Sequence, residues 1–258
     1  MAARPDKTVV ANNFSRYADS YDMHTAVQSE AAGMLAKILP DSGVTRILEI
    51  GCGTGSYTEI LKKKFGCANI RAIDISRPMV ELARHKLDDK NIAFEVGDVE
   101  EISCDDKYDL ATSNAAFHWF SNLERVIRKM EGLLTDKGVL LFSAFGPKTF
   151  SELKASLVSV SGENVSIAAD AFPGRTEIDE LLRKYFKISR ITERLVRESY
   201  TSLHELLGKI KYSGTRGAGS DMKKGWSPGL LKRVEKVYTE RFGSIEATYQ
   251  IFFCEAVK

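Results

Sequence analysis

Between Arg46 and Phe145 short apolar runs alternate with amphipathic segments, and no other feature constrains the fold of this chain as tightly. RILEI is followed by an amphipathic stretch from Tyr57 to Phe65, and IRAID by one from Pro78 to Leu87. IAFEV comes next, then YDLATS with Leu123 to Leu134 behind it, and GVLLFSAF closes the series. Alternating strand and helix signals imply βαβ units, hence an α/β protein with a mainly parallel sheet and helices on both faces. The runs are too apolar to be half-exposed strands. In open sheets of this kind ligands collect beyond the carboxyl ends of the strands, which directs attention to the loops after Ile50, Asp74, Val96 and Ser113.

The flanking sequence reads as helices and two further strands. Asn12 to Leu39 is expected to form one or two helices, with Phe14, Tyr17 and Tyr21 on one face by their three- and four-residue spacing. After the alternating unit come a loop and helix in FGPKTFSELKASL, a helix from Thr176 to Tyr185, a strand in KISRITERL and a helix from Ser202 to Tyr212. SGTRGAGSDMKKGWSPG is rich in glycine and charge and reads as a loop before a helix from about Leu230 and a last strand, TYQIFFCEAV.

Composition removes several classes. The N-terminus MAARPDKTVVANNF has no apolar signal region, and no window approaches the roughly 18 apolar residues that span a bilayer, so a cytoplasmic protein is expected. Cys52, Cys67, Cys104 and Cys254 are scattered without a paired spacing or a histidine cluster, so neither a metal site nor a disulfide framework is suggested. The net charge of +2 says little by itself, but basic residues gather between Lys209 and Arg241, including Lys211, Arg216, Lys223, Lys224, Lys232, Arg233 and Lys236. Such a run is either a solvated face or an attractor for an acidic partner.

ILEIGCGTGSY places Gly51, Gly53 and Gly55 at the first strand-to-helix corner. Glycine belongs where the chain takes positive φ or where a Cβ would meet a ligand, although a tight turn alone also explains it. The spacing discriminates between ligands. A dinucleotide corner wants G-x-G-x-x-G/A, but Ser56 and the bulky Tyr57 occupy the end of that pattern, and a P-loop lysine is absent after Gly55. At the tip of the next strand Asp74 is placed to accept both hydroxyls of a ribose, because Ser76 before Pro78 is the better cap for the following helix and leaves Asp74 free.

E-x-G-x-G-x-G with Glu49 at its head resembles motif I of the class I S-adenosylmethionine-dependent methyltransferases. The resemblance implies a Rossmann-like, mostly parallel seven-stranded sheet with an antiparallel last strand, helices on both faces and an inserted helical cap. It implies S-adenosyl-L-methionine as cofactor. Asp98 in FEVGDVEEI would hydrogen-bond the adenine amino group with Val99 against the ring, while Asn114 ends the fourth strand and the loop carrying His118 and Trp119 borders the methyl group. Glu49, Cys52, Ile75, Met79, Gly97 and Ala115 complete the expected cofactor lining. The organisation implied is a single methyltransferase domain, with residues 1–40 as N-terminal cap, 44–146 as cofactor-binding core and 147–258 carrying the last strands and a helical acceptor-binding insertion.

Base N-methylation usually goes with an N-P-P-Y-like corner, and S-N-A-A-F stands here instead, which disfavours a nucleic-acid acceptor. NNFSRYADSYDMHTAVQSEAAGMLAKIL, SNAAFHWFSNL, FGPKTFSEL, SLHELLGKIKYSGTRGAG and TYQIFFCEAV together resemble the malonyl-[acyl-carrier protein] O-methyltransferases, over nearly the whole chain. One departure is that Ser213, Gly214 and Thr215 stand where that family's usual glycine-alanine pair is expected. The implied partner is a malonyl-acyl-carrier protein, or malonyl-coenzyme A, docking on the basic face around Lys209, Lys211, Arg216, Lys223, Lys224 and Arg233, with no membrane involved.

A malonyl carboxylate is ionised at neutral pH, because reference carboxyl pKa values lie near 4, so no general base is needed. Catalysis then rests on alignment and on desolvating the nucleophile. A cation must still select the carboxylate, and Arg216, Lys148 and Lys211 are the candidates. Tyr17 and Tyr21 either pack as core aromatics or cover the cofactor and position the acceptor. His118 shapes the pocket rather than moving protons. The runner-up reading is a small-molecule carboxyl methyltransferase of the aconitate type, and from another class comes a cofactor-binding regulator without turnover.

Overall fold

The computed structural model describes residues 6–103, 106–162, 165–213 and 227–258. Its centre is one seven-stranded sheet in the order β3-β2-β1-β4-β5-β7-β6. The strands are β1 (Arg46–Ile50), β2 (Asn69–Asp74), β3 (Ile92–Val96), β4 (Tyr108–Ser113), β5 (Leu134–Phe145), β6 (Ile188–Tyr200) and β7 (Ile245–Val257). β1 to β5 pair in parallel, whereas β7 runs antiparallel to both of its neighbours, β5 and β6. The antiparallel last strand implied by the resemblance is therefore present, and it lies inside the sheet.

Period-two alternation sorts the strand residues onto two faces. Ile47, Leu141 and Phe253 face one core, while their neighbours Leu48, Phe142 and Phe252 face the other. The first core is closed by α2 (Ala26–Ala36), α3 (Ser56–Lys64), α4 (Arg77–Lys86), α6 (Ser151–Ser161), α8 (Leu203–Tyr212) and α9 (Pro228–Phe242). The second is closed by α5 (Leu123–Leu133) and α7 (Arg175–Tyr185). α5 shows why the sequence folds this way: Leu123, Val126, Ile127, Met130 and Leu133 recur at helical spacing and are all buried. Each contributes about 1.5–3 kcal/mol of burial, and Asn122 caps the helix by accepting the Arg125 amide at 2.9 Å.

The N-terminal segment departs from the sequence reading. The first helix, α1 (Lys7–Arg16), starts earlier than Asn12, with Asp6 accepting the amides of Thr8 and Val9. A 3-10 segment from Ala18 to His24 follows before α2 begins. The break at Tyr17 means that Phe14, Tyr17 and Tyr21 do not share a face. Phe14 packs against Tyr21 at 6.0 Å, while Tyr17 turns to meet Tyr212 of α8 at 5.2 Å. No helix among the described residues is long and apolar enough to cross a membrane.

Candidate active site

The loops at the carboxyl ends of β1, β2, β3 and β4 converge on a cleft of about 750 Å³, counted out to its open mouth. Gly51 and Gly53 come from the first loop, Asp74, Ile75 and Met79 from the second, Gly97, Asp98, Val99 and Glu100 from the third, and Asn114, Ala115, Ala116, Trp119 and Phe120 from the fourth. α1 supplies Lys7, Val10 and Phe14, and Tyr21 follows from the 3-10 segment. A smaller cavity of about 420 Å³ adjoins on the other side of the glycine corner, where Cys52, Thr54 and Tyr57 meet Asp22, Thr25 and Gln28.

The glycines of the corner divide into two kinds. A Cβ on Gly51, at φ +70°, would stand 2.5 Å from the Ala116 Cβ, so this glycine is required by the packing of the protein against itself. At Gly53 the nearest atom to such a Cβ is Tyr21 Cε1 at 4.0 Å, so here the bare backbone borders open space in the cleft. Gly53 also donates its N–H to Asp74 Oδ2 at 2.9 Å. Gly55 lines neither cavity and is the left-handed residue that starts α3.

Asp74 is not free as the sequence suggested. Ser76 does cap α4 by accepting the Met79 amide, but Asp74 Oδ1 accepts the Ser76 amide at 2.8 Å while its other oxygen holds Gly53. The carboxylate thereby ties the first loop to the second and still lines the cleft. Burial raises its pKa, and the two amide hydrogen bonds oppose the shift.

Glu49 lies beneath the corner, almost fully buried, with no hydrogen-bond partner on either carboxyl oxygen. Desolvation pushes its pKa up to about 8, the nearby charge of Asp74 adds to the rise, and Thr58 beside it tempers the shift without meeting hydrogen-bond geometry. Buried polar groups are rarely left orphaned in a folded chain. A cationic amine of a ligand at the corner is the kind of group that satisfies such an acid, and this orphan together with the open backbone at Gly53 fits the cofactor implied by the glycine pattern.

The loop after β4 is held in a strained shape. Ala115 adopts φ 54°, and its N–H donates to Ser143 Oγ at 2.8 Å, which in turn donates to Asn114 Oδ1 at 2.8 Å. Asn114 Nδ2 donates to the Gln28 carbonyl at 2.9 Å. A left-handed alanine costs on the order of 1–3 kcal/mol, and this network is what over-determines it.

Trp119 lines the cleft as expected, but His118 does not. His118 is buried behind it among Trp119, Phe145 and Phe172, with ring centroids 4.8, 4.9 and 4.6 Å away. Its Nδ1 accepts the Phe145 amide at 3.2 Å and burial pulls its pKa down to about 3, so the ring is neutral at physiological pH and carries its proton on Nε2.

Lys148 is exposed on the loop after β5 and lies outside the cleft. Lys209, expected on a docking face, is instead 13% exposed and paired with Glu198 at 2.6 Å. Lys211 rests over the rings of Tyr17 and Tyr212 at 5.8 and 5.0 Å. Arg233 is exposed on α9. Arg216, Lys223 and Lys224 lie outside the described residues.

Sequence reasoning missed Lys7 altogether. Its ammonium meets Asp98 Oδ2 at 2.6 Å and Glu100 Oε2 at 2.5 Å, drawing α1 over the cleft. Burial pulls the Lys7 pKa down, but the hydrogen bonds and charges of Asp98 and Glu100 outweigh it and leave it raised. Glu100 was also missed, although it holds the Ser121 and Asn122 amides at 3.2 and 2.8 Å and so anchors the start of α5. The spacing of Lys7, Val10 and Phe14 on one helical face was the available signal.

Comparison with known proteins fixes the family. Residues 48–142 match the model of a methyltransferase domain. A malonyl-[acyl-carrier protein] O-methyltransferase of Bacillus cereus is 32% identical over 266 residues, covering 98% of each chain. This chain belongs to that family. Another malonyl-[acyl-carrier protein] O-methyltransferase, from Ilyobacter polytropus, is 36% identical over 240 residues, covering 92% of this chain and 88% of its own. Among solved structures, the YcgJ protein of a Bacillus species superposes with a TM-score of 0.63 at 16% identity, covering 89% of this methyltransferase and 98% of that chain. A Haemonchus contortus phosphoethanolamine N-methyltransferase 2 in complex with S-adenosyl-L-methionine reaches a TM-score of 0.55 at 17% identity, covering 88% and 52%. At those identities the structural matches establish the shared Rossmann-like methyltransferase fold.

Proposed function

We propose that this chain transfers a methyl group from S-adenosyl-L-methionine to the free carboxylate of a malonyl thioester on an acyl-carrier protein, giving the methyl ester. When bound, the cofactor supplies an electrophilic methyl carbon on a sulfonium centre. Asp74 is the group to hold the ribose hydroxyls and Asp98 the adenine amino group, with Val99 and Met79 against the ring. Gly51, Gly53 and the buried Glu49 receive the amino-acid end. Asn114, Ala115 and Trp119 border the reacting methyl, and Tyr21 closes over the corner from the N-terminal side.

The observation that carries this reading is that, among the described residues lining the cleft, none is a free proton acceptor. His118 is buried, neutral and outside the cleft, and the carboxylates among the described lining residues are engaged by Gly53, Ser76, Lys7, Ser121 and Asn122. An acceptor that arrives already deprotonated suits such a site, and a malonyl carboxylate does. Alignment and dehydration of that carboxylate are what the chain has left to provide. Arg216 and Lys211 remain the candidate cations for selecting it. The sequence runner-up, an aconitate-type acceptor, is not favoured, since the near-full-length relatives are named for the carrier-bound malonyl group. The reading is tested by incubating the purified protein with labelled cofactor and malonyl-carrier protein, free malonate or aconitate. One methyl added to the malonyl arm alone is the expected result; label on aconitate or on none of the three refutes it.

A further inference from the structure

The basic run between Lys209 and Arg241 looks like one field in the sequence, but three of its described members are taken up by neighbours, while Lys232 and Arg233 stay exposed on α9. Lys209 is sequestered by Glu198, Lys211 is laid over two tyrosine rings, and Lys236 faces Glu240 at 3.7 Å. Arg241, at the C-terminal end of α9, instead joins two lysines from a different part of the chain. Lys148, Lys154 and Arg241 line an open groove of about 800 Å³ between α6 and α9. The rest of its floor is small or apolar, with Ala155, Val158 and Ile167, and among the described residues no carboxylate lines it. Lys154 pairs with Asp170 at 2.5 Å, but the exposed side chains of Lys148 and Arg241 have no carboxylate partner among the described residues.

The groove opens at the same end of the sheet as the active-site cleft. Lys148 follows Phe145, the last residue of β5, by three positions. The Phe145 ring is 4.9 Å from His118, and His118 is 4.8 Å from Trp119, which lines the cleft.

We infer that the groove between α6 and α9 is the seat of the acyl-carrier protein, with Lys148 and Arg241 as the cations that meet its acidic face. This rests on the malonyl-carrier reading above. An acidic helix with apolar residues on one side matches a floor of Val158 and Ile167 rimmed by cations. Charges of this exposed, rim type act through encounter rate and salt dependence more than through buried pairing.

The test compares wild type with the double variant K148E/R241E, using malonyl-carrier protein and malonyl-pantetheine as acceptors. For the carrier the variant is expected to show a KM raised about tenfold or more at low ionic strength with kcat little changed. Added salt raises the wild-type KM and leaves that of the variant flat or lower. Malonyl-pantetheine is methylated equally by both proteins, and cofactor affinity by calorimetry is the same. An unchanged carrier KM, or an equal loss with both acceptors, overturns the inference. If malonyl-pantetheine turns over too slowly to compare, the inference stands or falls on the separation of KM from kcat and on the altered salt response. Wild type that methylates no malonyl acceptor removes the functional reading itself, and this inference with it.

Discussion

Replacing Lys7 with methionine tests whether the N-terminal helix is pinned over the cleft by charge. The Lys7 ammonium is 26% exposed, Asp98 22% and Glu100 3%, so the cluster stands between a surface pair and a buried one. Surface pairs contribute up to about 1 kcal/mol, and breaking a fully buried one costs about 3–5 kcal/mol. Glu100 keeps two backbone donors after the substitution, which rules out the upper range and leaves about 2 kcal/mol. Only Val10 is fully buried in α1, so the loss falls on local opening of that helix rather than on the global fold. A change of about 2 kcal/mol is roughly a 30-fold change in an opening equilibrium. Hydrogen exchange read by mass spectrometry on α1 peptides is therefore expected to show protection reduced about 30-fold, with β1 and β4 peptides as unchanged internal references. The sign with pH is fixed by the raised Lys7 pKa. The tie is fully present below the unfolded value of 10.5 and is lost only as pH rises through the folded one, so the comparison is clean at neutral pH. Wild-type protection of α1 in the methionine variant refutes the reasoning.

Two further substitutions probe the corner itself. Asp74→Ala removes a carboxylate that lines the cleft and leaves the Gly53 and Ser76 amides without their acceptor; cofactor affinity by calorimetry is expected to fall by about 1.5–3 kcal/mol, and an unchanged Kd contradicts the assignment. Glu49→Gln tests the orphaned acid. Because its folded pKa is about 8 against 4.5 in the unfolded chain, it favours folding below pH 4.5 and loses that advantage as pH rises toward 8, at about 1.4 kcal/mol per pH unit. Urea unfolding of wild type at pH 5 and pH 7.5 is expected to show this fall, and the glutamine variant to lack that component; parallel pH profiles for the two proteins dispose of the idea.

The strand ends were readable because strands buried on both faces must be continuous apolar runs, and β1 and β4 end at Ile50 and Ser113 as the sequence placed them. β2 and β3 end at Asp74 and Val96 as placed too, but β3 is the edge strand with only Phe94 buried, so that run is half-exposed after all. The N-cap at Ser76 was readable for a local reason, a proline in the first turn. What failed was whatever depends on distant partners. Lys7 reaches a residue 91 positions away, and although its spacing with Val10 and Phe14 puts it on one helical face, nothing in KTVVANNFSR tells which partner it meets. Lys209 looks like a surface lysine until β6 brings Glu198 beside it. Asp74 was correctly placed at a strand tip, yet its bonds to Gly53 and Ser76 depend on how two loops meet. Tyr17 was assigned to the face of Phe14 because spacing assumes an unbroken helix, and the helix stops one residue before it.

The position of β7 has a consequence for how the chain comes off the ribosome. Val139 of β5 and Ile188 of β6 both find their partner in Val257, so β6 joins the sheet only through β7, the last of the seven strands in chain order. A nascent chain halted before Ile245 carries β5 and β6 as two raw edges with no strand to join them, while the β1 to β4 half is already assembled. The glycine corner can take shape during translation, but the wall behind Phe145 must wait for the closing strand, and until then those edges invite mispairing with other chains.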